Sequence, residues 1–297
     1  TDGVVWASFG TVSATSALLV SSSTQVRYVP DGRNGETATF NFVAWDRTTG
    51  TASTNSTANY GNPGAGGGSS AYSSQSGQAS LSVTSVNDAP TVVSGTNVTL
   101  TNTDENTVSS ALLVSSLVSS AGWADVDTGA LKGMAVTGKT GNGTWQYSTD
   151  GSSWVAFGSV SATNAMLLSN TTQIRYLPDG RNGETASMSF VAWDQTTGTA
   201  STNALAAFAN PGSGGGSTAY SSGSATASML VTSLNDAPTI TDGATITLTA
   251  TDENTTSGTV SVSSLLGTAA WADVDSGALS GIAVKTASGN VTWQYST

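Results

Sequence analysis

Residues 1–148 and residues 149–296 align at a constant offset of 148 residues, with no gap anywhere. Trp6 recurs as Trp154, Pro30 to Glu36 as Pro178 to Glu184, and Trp45–Asp46 as Trp193–Asp194. Asn87 to Pro90 recurs as Asn235 to Pro238, Asp104–Glu105–Asn106 as Asp252 to Asn254, and Asp125–Val126–Asp127 as Asp273 to Asp275. A fixed period without insertions restricts the chain to an array of like units. Each period is long enough to enclose one hydrophobic core.

Within a period the pattern is β throughout. Val98 and Leu100 alternate as a first strand, with Ile246 and Leu248 as their copies. Residues 133–136 follow, and then residues 144–157 read as a hairpin around Asp150–Gly151. Residues 173–177 lead through the turn Asp179–Gly180–Arg181–Asn182–Gly183 into 186–194, where Met188, Phe190 and Ala192 share one face. A last strand spans 227–233. Residues 111–118 and 165–168 fit a strand or a helical turn equally well. Short strands punctuated by turns predict an all-β chain of antiparallel β-sandwich modules in a linear array.

The Asx–proline segments Asn87 to Pro90 and Asn235 to Pro238 mark stiff joints after a strand. This phasing predicts the C-terminal part of one repeat over 1–90, a complete repeat over 91–238, and the N-terminal part of a third over 239–297. Both termini then fall inside the same hairpin turn, which predicts a segment of a longer repetitive chain.

Composition removes several functions. The chain has no cysteine and no histidine, so disulfides, Cys/His zinc sites and imidazole or thiolate catalysis are excluded. Eight Lys and Arg stand against 19 Asp and Glu, a net charge of −11, which disfavours nucleic acid as a partner. No apolar run is long enough for a transmembrane helix, so no membrane insertion is expected. Residues 210–217, rich in glycine, lack the Gly-Lys-Ser/Thr ending of a phosphate loop and read as an irregular surface loop. Trp145 and Trp154 read as a cross-strand pair on the hairpin. An enzyme is not expected, because carboxylates are the only candidate bases and they repeat at module ends.

Those carboxylates are the informative constellation. Asp125 and Asp127 fall on one side of an extended segment, as do Asp273 and Asp275. Asp104–Glu105 follows the first strand, Asn87–Asp88 and Asn235–Asp236 lie in the joints, and Asp194 ends the long strand. An all-oxygen set of carboxylates and amides that recurs with the repeat points to Ca²⁺.

Asn-Asp-Ala-Pro resembles the joint motif of cadherin-type repeats, Asp-Val-Asp their Asp-X-Asp, and Ala192–Trp193–Asp194 their Ala-X-Asp strand end. Asp104–Glu105–Asn106 is similar to the Glu-containing element near the first strand of bacterial cadherin-like repeats. The whole chain looks like the tandem cadherin-like repeats of giant bacterial adhesins, many of them exported by type I secretion. A period of 148 is longer than the family's module, and the Gly-rich nonapeptides of such secreted proteins are missing. The resemblance implies Ca²⁺ held between modules. The first joint would use Asn87, Asp88, Asp125, Asp127 and Asp194; the second would use Asn235, Asp236, Glu105 or Asp104, Asp273 and Asp275. It also implies a structural, calcium-rigidified extender or fibre on the bacterial cell surface. The partners are then neighbouring repeats, and identical chains where fibres or layers form. The alternatives are a repeat that itself binds a glycan or a cell, and lateral assembly into a sheath or layer.

Overall fold

The computed structural model describes residues 5–290 and 292–297. They form two compact units, 5–88 with Val126–Gly129, and Ala89–Asp125 with Ala130–Thr297. The division between Asp88 and Ala89 falls within the first Asn-Asp-Ala-Pro segment.

The smaller unit contains β1 (Ala17–Leu18), β2 (Glu36–Trp45), β3 (Tyr60–Gly61) and β4 (Tyr72–Val83). β1 pairs with β3 and β2 with β4, both antiparallel. The larger unit contains β5 (Asn97–Thr99), β6 (Thr103–Asp104), β7 (Leu112–Leu113), α1 (Val114–Ser120), β8 (Gly133–Thr140), β9 (Thr144–Ser148) and β10 (Val155–Ala156). It continues with β11 (Ala165–Leu168), β12 (Gln173–Leu177), β13 (Glu184–Trp193), β14 (Phe208–Ala209), β15 (Tyr220–Thr232) and α2 (Val262–Thr268).

Two sheets enclose the core of the larger unit. One runs β14-β11-β8-β13-β15-β5, with β6 also on β15; the other runs β10-β9-β12-β7. Period-two alternation buries Ala186, Met188, Phe190 and Ala192 of β13 and Ala225, Ala227, Met229 and Val231 of β15. They meet Trp145, Tyr147, Ile174 and Tyr176 from the other sheet in one apolar cluster. Trp145 lies 5.0 Å from Tyr176 and 6.3 Å from Phe157, ring centre to ring centre. The hairpin pairs Val155 with Tyr147 and Ala156 with Gln146, which sets Phe157, not Trp154, opposite Trp145. Trp154 instead lies outside, under the Arg175 guanidinium at 4.0 Å.

The two ambiguous stretches resolve differently. Residues 112–113 are strand and 114–120 helix, because Val114, Leu117 and Val118 bury one helical face. Residues 165–168 are strand, with all four side chains buried. One expectation needs correcting: not every pairing is antiparallel. β5 and β6 run parallel to β15, joining residues 97–104 to residues 226–232. A parallel pair needs a long crossover, and here the whole intervening fold supplies it. Ile246 and Leu248 form no strand, because 239–297 contains no counterpart of β15 for them to pair with.

The repeat carries over to the register. Glu36 faces Val83 as Glu184 faces Val231, and the same irregularity interrupts Val43/Trp45 and Val191/Trp193. Residues 5–88 lack counterparts of β8 and β9, and the face of β2 that matches the buried face of β13 is open.

Candidate metal centre

Backbone pairing delivers the first carboxylate. Thr103 and Asp104 pair with Val231 and Thr232, and the Glu105 N–H continues the ladder to the Thr232 carbonyl at 3.0 Å. Glu105 is thereby fixed beside the end of β15 and is buried. Its Oε1 accepts the Leu234 N–H at 2.8 Å, and its Oε2 lies 3.4 Å from the Ser233 hydroxyl. Asp104 turns the other way, its Oδ1 accepting the Asn106 N–H at 2.9 Å within the turn.

Past β15, Asn235 closes a local turn by donating from Nδ2 to the Asp236 carbonyl at 3.0 Å. The Asp236 N–H donates to Asp275 Oδ2 at 2.9 Å. Asp275 also donates its N–H to Asp273 Oδ1 at 2.9 Å. Trp271, Asp273 and Asp275 are half-buried while Ala272 and Val274 are exposed, as an extended segment requires. A bridge between Thr239 and Ala272 ties this segment to the chain just past the joint.

One carboxylate oxygen each from Glu105, Asp236 and Asp275 then lies within 4.8 Å of the others. Asp236 Oδ2 and Asp275 Oδ1 are buried and accept no hydrogen bond. A buried carboxylate oxygen without a donor is costly, and three carboxylates in one site repel one another. A hard cation relieves both. Oxygens bound to one Ca²⁺ at about 2.3–2.6 Å lie up to about 5 Å apart, so this spacing and an all-oxygen donor set fit that ion.

The first joint repeats the local pattern. The Asp88 N–H donates to Asp127 Oδ2 at 2.8 Å, and Asn87 Nδ2 to the Asp88 carbonyl at 3.2 Å. Asp125 and Asp127 are both half-buried, with Val126 between them exposed. Asp194 is engaged in a turn. Its Oδ1 accepts the Thr196 N–H at 2.8 Å and hydroxyl at 2.6 Å, bracketing Gln195 at φ 69°. Asp46 makes the same turn through Thr48, whose N–H and hydroxyl hold its carboxyl below the usual range.

Two contributors escape sequence reading. Asn182, in the Asp-Gly-Arg-Asn-Gly turn, donates to the Val274 carbonyl at 3.1 Å and accepts the Ser276 N–H at 2.8 Å. It clasps the backbone on both sides of Asp275. Asn34 does the same to Val126 and Thr128, at 3.3 and 2.9 Å. The signal was present in the recurrence of the turn, but an Asn beside Gly reads first as turn chemistry. The second contributor is the Gly-rich loop, whose Gly216 carbonyl accepts the Ala89 N–H at 2.8 Å. Gly214 lies so close to the next strand that a Cβ would meet the Ser221 carbonyl oxygen at 2.3 Å. Comparison with protein-family models, curated proteins and solved structures yields no match for this chain.

Proposed function

We propose that the chain is a structural extender: cadherin-like β-sandwich repeats in a linear array, stiffened by Ca²⁺ at their joints, on the surface of a bacterium. The observation that carries this reading is the trio Glu105, Asp236 and Asp275. Its members come from three places in the sequence: the start of one repeat, the joint, and the Asp-X-Asp of the following repeat. An ion bound to all three fixes the angle at the joint. Without it, the carboxylates repel and the joint bends. The Arg175 and Arg27 guanidinium groups, 4.0 and 4.1 Å from the rings of Trp154 and Trp6, cover one face of each ring. That cover counts against the alternative in which these tryptophans form a sugar-stacking platform.

Small-angle scattering and thermal melts with calcium and with chelator test the proposal. Calcium should lengthen the maximum dimension and raise Tm, and the rise should grow with ion concentration as mass action requires. Replacing Asp236 and Asp275 by Asn should remove both responses and leave the β signal in circular dichroism unchanged. Identical dimensions and melts in the two conditions would refute the reading.

A further inference from the structure

Asparagine precedes glycine three times, as Asn34–Gly35, Asn142–Gly143 and Asn182–Gly183. Such a pair is able to cyclise, because the glycine nitrogen reaches the carboxamide carbon of the asparagine before it and has no side chain to hinder the approach. The fold holds the three pairs differently. Asn182 and Asn34 each have the carboxamide fixed by two hydrogen bonds to backbone groups of residues 274 and 276 and of residues 126 and 128. Asn142 is exposed at the centre of Gly141–Asn142–Gly143, the three-residue loop between β8 and β9. Among the described residues its carboxamide has no hydrogen-bond partner; only its backbone N–H is engaged.

The nitrogen that would attack Asn142 also meets a base. The Gly143 N–H donates to the Tyr176 hydroxyl at 2.6 Å, with Glu184 Oε1 at 3.5 Å. The Tyr176 hydroxyl in turn donates to Glu184 Oε1, and Glu184 Oε2 accepts the Asn142 N–H at 2.7 Å. A continuous path for a proton therefore runs from the Gly143 nitrogen through a phenol to a carboxylate. Burial of Tyr176 and the bond from the Trp145 indole N–H to the Thr140 carbonyl, at 3.0 Å, hold the loop over that path. Gly143 is itself obligatory: a Cβ there would meet the Leu177 carbonyl oxygen at 2.3 Å and the Tyr176 ring at 2.8 Å. The residue that makes Asn142 reactive is the residue the turn demands.

We infer that Asn142 is a site of self-modification, deamidating through a succinimide with Tyr176 and Glu184 as the base. The Gly143 nitrogen bonds to Asn142 Cγ while its proton passes to the Tyr176 oxygen and the Tyr176 proton passes to Glu184. The Cγ–Nδ2 bond then breaks, and ammonia leaves with the proton that the pair had accepted. Water opens the ring at either carbonyl and gives aspartate or isoaspartate at position 142. Both products place a new carboxylate beside Glu184, and the isoaspartyl form adds a methylene to the backbone of a three-residue loop. The loop over Tyr176 thus changes once, irreversibly, as the protein ages. The reaction needs no cation and is independent of the proposal above.

Incubation of the whole folded chain at neutral pH, followed by peptide mapping in a mass spectrometer, tests it. Asn142 should convert at least about tenfold faster than Asn34 and Asn182, a modest part of the roughly 10²–10⁴-fold that a positioned base supplies. In denaturant, where only the local sequence acts, the three sites should convert at similar rates, and Asn142 more slowly than in the folded chain. Tyr176→Phe and Glu184→Gln each break the proton path. Each should slow Asn142 about tenfold and leave Asn34 and Asn182 unchanged, with circular dichroism checking that the variant is folded. The comparison of the three sites within the parent needs no variant and stands if either substitution unfolds the chain. Equal conversion of the three sites in the folded parent, slower conversion of Asn142 there than in denaturant, or folded variants that match the parent's rate would overturn the inference.

Discussion

At the scale of the residue, the carboxylates were legible because chemistry and recurrence coincided. The asparagines that position them were not, because a side chain that bonds two backbone groups 92 and 94 residues away leaves no local trace. Asn182→Ala removes both bonds. At about 0.5–1.5 kcal/mol each, their loss lets the loop around Asp275 move and should weaken calcium binding severalfold. Isothermal titration against Asn182→Asp, which retains the acceptor and loses the donor, separates the two bonds. A different carboxylate governs acid behaviour. The N–H groups of Ser153 and Ser152, with the Ser148 hydroxyl, hold the Asp150 carboxyl far below its usual range. A depressed folded-state pKa contributes stability above the unfolded-state value of about 3.9, and that stability fades as the pH falls from there toward the folded value. Asp150→Ala should therefore melt below the parent at neutral pH, with the gap narrowing on acidification below about pH 4. A gap that stayed constant would show that Asp150 acts through packing instead of charge.

At the scale of the element, two glycines separate backbone conformation from close approach. Gly183 has an ordinary φ, but a Cβ there would lie 2.7 Å from the Ser233 nitrogen and 2.9 Å from the Val231 carbonyl oxygen. Gly212 sits at φ 61° with nothing near its missing Cβ. Gly183→Ala should part the ends of β13 and β15 and cost about 2–3 kcal/mol, whereas Gly212→Ala should cost about 1 kcal/mol. Urea denaturation of both variants checks the order. The long strands and their inward faces could be read from alternation and the hairpin from its Asp150–Gly151 turn, but not the hairpin's register, which sets Phe157 and not Trp154 opposite Trp145. The parallel placement of β5 and β6 could not, since alternation gives a strand's face and not the direction of its neighbour. The same limit explains residues 111–118, where a short apolar run contains both the end of a strand and the start of a helix.

At the scale of the whole molecule, identical sequence positions have different energies because their surroundings differ. Phe190→Ala should cost about 3–5 kcal/mol, the price of a cavity in a closed core. Phe42→Ala, at a position 51% exposed, should cost about 1 kcal/mol or less. Hydrogen exchange at the amides of β13 and β2 reads the two values within one protein. The parallel pairing of β5 with β15 has a further consequence. In a parallel pair the chain comes in at one end of the strands and leaves at the other. A tensile load between the two ends of residues 91–238 therefore drags the strands along their own axes in opposite directions. The hydrogen bonds joining 97–99 to 226–228, and 103–104 to 231–232, then bear that load in shear. They must break together, not one after another as in a zipper. A repeat joined in this way resists pulling much more strongly than its thermal stability alone would indicate.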